Sequence, residues 1–467
     1  MKNIIKFLVV ALLFTGCSTD DFLDVKPSNL LIPQTLDDFR LLLDDQYTLN
    51  SFPISGIFSD DDCYLSESRL SFTEPWIGNL YRWKKNIYDT QGNVRDWNNP
   101  YKAIYVANTV LNQLNSSHTG EKRNTIEGEA LFYRAVHHYN LVSLFAKAYD
   151  PNTAATDLGI PIRLTTDTEG VVTRNSVQEV MDQIIEDLEL AIPLLPDLPT
   201  ITTRPSKAGA YGFLARINLN NQNYEEAWTA ANESLKIRNQ LIDFNTLEDI
   251  DLVGPYASYG ANIRPVVTNE NPEISFVAYA GDLYSSHYFF VQSELAQLYA
   301  DTDRRKLIYL DAAVISNEIH PLYTGNYFTE TAGGAVLDAS PFVGISTNEM
   351  YLIRAEAYAR AGDIANAMRD LNTLLKQRFT TGMFVDLTAN DKEEALDLIL
   401  IERRKELPFR GLRWQDLKRL NLDPNRQKYL TRRVQGEVFT LLPNDPRYVL
   451  PIPLDEIRQS KIQQNKR

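Results

Sequence analysis

Two segments far apart in this chain carry one pattern of aromatic, small and turn-forming residues, and that pattern leaves few folds open. In the first, Tyr211, Leu214 and Ala215 precede Tyr224, Ala227 and Ala231. In the second, Tyr351, Ala355 and Tyr358 precede Gly362 and Ala367. The spacing predicts two helical hairpins, Pro205–Asn220 with Tyr224–Ile237 and Asn348–Ala361 with Ile364–Phe379. Small side chains at Ala215 and Ala227, or at Ala355 and Ala367, let two helices approach closely. Gly362, and Asn221 in the first hairpin, suit the tight turn between the arms. The equivalent alanines Ala227 and Ala367 lie 140 positions apart. This is therefore no tandem array, and the hairpins must meet in space with other segments inserted between them.

Each hairpin resembles a tetratricopeptide unit. Helical signals dominate elsewhere too. Leu36, Phe39, Leu42 and Leu43 share a face, with Asp37 and Asp38 in the first turn, where the helix dipole favours acids. Pro100 is expected to start a helix carrying Ile104, Ala107 and Val110, and a longer one spans 124–148. Ser176 and Glu179 form a capping box for the next helix. Residues 240–345, rich in Gly, Pro, Asn and Tyr, are the least helical, with strand-like pieces at Val266–Val267 and Ile274–Tyr279. A last helix, Lys392–Glu406, is ended by Pro408 and followed by a looped tail.

The N-terminus places the chain. Lys2 and Lys6 precede an apolar run, Phe7–Phe14, too short to span a bilayer and suited to an export signal. Thr15 and Gly16 then lead to Cys17. A cysteine at that point predicts a lipobox: the thiol takes a diacylglycerol, the signal is cut before Cys17, and the new terminus is acylated, which is the regime of stable anchoring. Phe14 departs from the leucine usual three residues before such a cysteine. The net charge is −14 and becomes −16 once Lys2 and Lys6 leave with the signal. So acidic a chain lacks the basic patch that nucleic acid requires. With Cys17 lipidated, Cys63 has no partner for a disulfide.

Few residues carry chemistry. Glu402 and Glu406 lie four apart on one helix face, a spacing compatible with the carboxylate pair of a glycosidase. They sit among Arg403, Arg404, Arg410, Arg413 and Arg419, and arginine forks hold carboxylates ionised and occupied. A structural network is the expectation. His137 and His138 are adjacent and point about 100° apart, so they do not form a metal pair. Asp60, Asp61 and Asp62 lack the alternation of a calcium loop. Nucleotide-, serine-hydrolase- and zinc-protease motifs are absent, so no catalytic residue, metal or cofactor is expected. The most suggestive cluster is Trp76, Tyr81, Arg82, Trp83, Tyr88 and Trp97, which places three of the five tryptophans within 22 residues, among Asn79, Asn86, Asn98 and Asn99. Rings that stack on a pyranose beside amides and guanidinium groups make a sugar site; the same rings also suit packing on the helix that follows.

Taken in order, these pieces resemble the SusD/RagB family of nutrient-binding lipoproteins. The resemblance is carried by Cys17 with DDFLD at 20–24 and Pro27, by Trp97 with YKAIYVAN at 101–108, and by GEALFYRA at 128–135. It continues in RPSKAGAY at 204–211, in RAEAY at 354–358, in Glu402 to Arg419 and in the tail Leu450–Ile457. It implies an all-α body of four tetratricopeptide-like hairpins packed with a loop-rich lobe of minor β structure. The expected division is a signal at 1–16, a lipidated tether at 17–33 and a single body at 34–467. Repeat helices fall mainly in 100–237 and 348–379, and the ligand lobe in about 50–99 and 240–345. It implies a lipid-anchored protein on the outer face of the outer membrane that captures glycan without catalysis. Its implied partner is a TonB-dependent β-barrel transporter. A peptide-binding or purely scaffolding subunit of the same kind of complex is the alternative. The family's ligand loops vary, so the expected contacts rest on the aromatic argument: Trp76, Tyr81, Arg82 and Trp83, with Tyr259, Tyr284 and Tyr288 in the loop-rich region.

Overall fold

Among the described residues, three of the four expected helical hairpins pack as such in space. A computed structural model describes residues 33–88, 94–167, 170–199, 201–246, 271–280, 290–315, 318–323, 327–330, 336–340 and 342–467. The helices used below are α1 (Leu36–Leu43), α2 (Arg95–Gln113), α3 (Glu121–Phe145), α4 (Val177–Ala191) and α5 (Lys207–Asn220). They continue with α6 (Tyr224–Ile237), α7 (Thr347–Arg360), α8 (Ile364–Lys376), α9 (Lys392–Glu406) and α10 (Arg413–Leu420). The pairs α2–α3, α5–α6 and α7–α8 pack as hairpins, α4 adds a layer on α3, and α9 adds one on α7. The two predicted hairpins meet through α6 against α7, which is how repeats distant in sequence share one core.

Small residues permit that approach. Ala215, Ala227, Ala231, Ala355, Ala359 and Ala367 are all fully buried. A Cβ on Gly212 would lie 2.2 Å from the Ile345 side chain, so α5 tolerates only glycine where the chain enters α7. Buried arginine–carboxylate pairs then fix the helices in register: Arg134–Asp187 joins α3 to α4 at 2.6 Å, Arg216–Glu349 joins α5 to α7 at 2.7 Å, and Arg354–Asp370 joins α7 to α8 at 2.6 Å. Ser176 and Glu179 make the predicted capping box on α4.

Three local expectations change. The left-handed residue in the first hairpin turn is Gln222, at φ 62°, and not Asn221. Helix α2 begins at Arg95 and carries Pro100 inside it. Burial of Asp96, whose carboxylate accepts the backbone N–H groups of Ile54 and Ser55, draws the earlier turn into the helix. Helix α3 ends at Phe145, where Lys418 Nζ donates to the carbonyls of Ser143 and Ala146.

Minor β structure flanks the helices. Strands β1 (Cys63–Tyr64), β2 (Phe290–Val291), β3 (Leu310–Ile315) and β4 (Glu318–Tyr323) form a sheet in the order β1-β2-β4-β3. The β3–β4 hairpin was not foreseen, and Val266–Val267 lies outside the described residues. The tail is not simply looped: β5 (Leu430–Val434) and β6 (Glu437–Leu441) pair antiparallel through Gln435 and Gly436, both at positive φ.

His137 and His138 belong to the core. His137 donates from Nε2 to the Leu49 carbonyl at 3.0 Å. His138 donates from Nδ1 to the Arg134 carbonyl at 2.9 Å and accepts the Arg163 backbone N–H on Nε2 at 3.1 Å. Burial pushes the two imidazoles down to about 4 and about 3. Unfolded histidine titrates near 6.5, so the unfolded chain takes up these protons first. The stability associated with the neutral rings is complete above about pH 6.5 and is lost as pH falls toward 4 and 3. Thermal unfolding should therefore show a midpoint that drops between pH 7 and pH 4; a flat midpoint over that range would count against the two neutral rings.

Candidate functional site

The aromatic segment predicted to form one sugar-binding face is divided by the fold. Pro75 opens a short helix, Pro75–Tyr81, at the position where its missing N–H costs nothing. Ile77, Leu80 and Tyr81 face the core. Trp76 stays half-buried, its ring edge-on to Phe58 at 6.5 Å and 89°, and its indole N–H donates to the Glu74 carboxylate. Arg82 is also half-buried, and its guanidinium donates to the Gly78 carbonyl at 3.1 Å. A Cβ at position 78 would lie 2.8 Å from that guanidinium, so Gly78 makes room for it.

Tyr81 and Trp83 correct the expectation. Both are core residues, each 2% exposed. Arg432, an inward-facing position of β5, places its guanidinium 3.9 Å from the Tyr81 ring centre and 4.4 Å from that of Trp83. The same group donates to the backbone carbonyls of Phe58, Tyr81 and Asp60. Trp83 holds a left-handed φ of 49° and donates its indole N–H to the Ser59 carbonyl at 2.8 Å. Rings clamped in this way have no free face for a sugar. Tyr88 and Trp97 are buried as well.

What keeps accessible surface in this segment is Trp76 and Arg82, together with one exposed ring that periodicity does not single out. Phe72, ending the helix Glu67–Phe72, is 85% exposed. A single exposed ring is common on protein surfaces, and an isolated phenylalanine in a serine- and charge-rich stretch is the only sequence signal of it. Tyr259, Tyr284 and Tyr288 lie outside the described residues.

The charged clusters are structural. Asp61 accepts the Nε and Nη2 of Arg413 at 2.7 and 2.9 Å and Lys428 Nζ at 2.6 Å; Asp62 accepts Arg404 Nε at 2.6 Å. Burial pushes the Asp61 carboxyl up, but Arg413 and Arg404 outweigh it and hold it well below the usual range. Glu402 and Glu406 converge on Arg305 at 2.6 and 3.1 Å. Glu406 also accepts from Arg378 at 2.9 Å and from the Asn348 amide at 2.8 Å. Burial again opposes ionisation, and Arg378 and Arg305 prevail, so Glu406 is held below the usual carboxylate range. A carboxylate so occupied is unsuited to donate a proton to a leaving group.

Comparison with known proteins fits this architecture. A family profile described as starch-binding and associating with the outer membrane matches residues 21–219, and the SusD family profile matches 341–466. SusD-like protein P2 of Formosa agariphila is 24% identical over 99% of both chains. A SusD superfamily protein of Bacteroides vulgatus superposes with a TM-score of 0.72 at 22% identity, covering 92% of this chain and 99% of its own. A laminarin-binding SusD-like protein superposes at 0.66 and 18% identity, covering 92% and 98%. Among the described residues no helix is long and apolar enough to cross a membrane. The two profiles match, in order, the N-terminal and C-terminal parts of the chain, and the chain belongs to the SusD/RagB family.

Proposed function

We propose that this chain is a non-enzymatic, lipid-anchored glycan-binding protein of the outer membrane that captures oligosaccharide at the cell exterior and delivers it to a TonB-dependent β-barrel transporter. One observation supports the position of the contact most: Phe72, Trp76 and Arg82, close in sequence, keep accessible surface while their neighbours Tyr81 and Trp83 are buried. An aromatic face and a guanidinium on a rigid base match the apolar face and hydroxyl rim of a pyranose. That a protein of this fold binds laminarin makes β-glucan the first ligand to try. Cys17 carries the anchor in this proposal.

Trp76→Ala should weaken glycan binding about tenfold, the loss of one stacking contact of about 1.4 kcal/mol, with the fold retained and a modest loss of stability from the lost packing on Phe58. Calorimetry with laminarin and starch oligosaccharides checks it, and unchanged affinity would remove Trp76 from the site. Retention of peptides with no glycan bound would favour the peptide-binding alternative. Recovery of the protein without a barrel transporter after gentle solubilisation would overturn the partner.

A further inference from the structure

Helix α2 lines a second cleft, of about 680 Å³, against residues 161–167 and 170–172 and the helix Leu454–Ser460. That size falls within the range of small-molecule pockets. Asn98, Tyr101, Lys102, Tyr105 and Asn108 line it at helical spacing, on one face of α2. The walls are fixed. Tyr101 donates its hydroxyl to the Pro161 carbonyl at 2.9 Å, and the Asn108 amide donates to the carbonyls of Arg163 and Thr165 at 3.0 and 3.2 Å. The Trp97 ring stands 5.1 Å from that of Tyr101, and its indole N–H donates to Glu456 at 3.4 Å, tying the last helix to α2.

Within these walls Tyr105 is 49% exposed, a large ring left half in water. Asn98 and Gln459, both exposed, add amides that donate and accept. Lys102 and Arg163 are balanced by Asp167 and Glu456, so the cleft carries no excess of either sign. A half-exposed aromatic face, two amides and balanced charge favour an uncharged ligand that is flat and apolar on one side and rich in hydroxyls on the other.

We propose that this cleft is a second saccharide site, on the helical body and not on the lobe, taking a short neutral oligosaccharide over Tyr105. It rests on the glycan-binding function proposed above but not on the lobe contact. In that arrangement the protein has two places that take saccharide.

The test is calorimetry and saturation-transfer NMR on the full mature protein in detergent, with laminaritriose, maltotriose and the charged trigalacturonate. The wild type should bind a neutral triose at two sites. Tyr105→Ala should weaken one of them about tenfold and Tyr105→Phe should keep it. Trp76→Ala should leave that site intact. If Tyr105→Ala changes nothing while Trp76→Ala abolishes binding, the cleft fails and the lobe site stands. If only Tyr105→Ala abolishes binding, the lobe contact fails and the cleft stands. No triose bound at all, trigalacturonate preferred over the neutral sugars, or Tyr105→Ala weakening transporter capture and not sugar binding would each overturn the proposal.

Discussion

Replacing Glu406 with alanine is expected to destabilise the protein by about 3–5 kcal/mol, the usual result of removing one partner from a buried ionic network. Glu406 is 1% exposed. It accepts three groups at once, from Arg305, Arg378 and Asn348. Arg305 would retain Asp303 and Glu402, and Arg378 would retain Glu273, so the loss should stay within that range and not abolish folding. Asn348 sits in the first turn of α7, so the network ties α7 to α9 and to the loop around Asp303. Urea unfolding followed by circular dichroism measures the cost. A loss under 1 kcal/mol would show that the network is not a structural centre. The isosteric Glu406→Gln tests chemistry: hydrolysis of an oligosaccharide that this substitution abolished would overturn the non-enzymatic function.

Arg432→Ala should have the second large effect, about 3 kcal/mol of stability together with a loss of glycan affinity. The guanidinium is buried between two rings and bonded to three backbone carbonyls. Charged hydrogen bonds contribute about 1.5–3 kcal/mol each when their partners are left buried, and a desolvated cation–π contact about 2, with neighbouring groups relaxing to recover part. Removal leaves the carbonyls of Phe58, Tyr81 and Asp60 without this donor and frees Trp83 from its strained φ. Phe58 supports Trp76 edge-on, so the lobe surface should loosen with it. Arg432→Lys should not rescue, because a single ammonium does not reproduce the planar fork. Unfolding by urea and laminarin titration of the same variant check both effects. A stable variant with full affinity would separate the clamp from the site.

Much of the helical body was legible in advance. The Ala227 and Ala367 positions and the Ser176–Glu179 cap are local or near-local signals, and each has its predicted structural consequence. A network does form around Glu402 and Glu406, but its arginines are Arg305 and Arg378 from other segments; the neighbours Arg403, Arg404, Arg413 and Arg419 pair with Asp416, Asp62, Asp61 and Glu356 instead. The site was less legible. Trp76 and Trp83 are seven residues apart and chemically alike, yet one reaches the surface and the other is locked in the core by Arg432, more than three hundred positions later. Nothing near Trp83 announces that arginine. The same holds for Asp61, whose partners Arg404, Arg413 and Lys428 arrive from the last quarter of the chain.

The chain's own order of residues therefore determined the elements: helical periods, caps, small residues where helices must touch, and the hairpin type they build. These depend on contacts within a few positions or on a repeated pattern. Which ring meets solvent and which carboxylate is neutralised depended on segments brought together only by folding. Burial and pairing are properties of the assembled core, so only the tertiary structure could decide them.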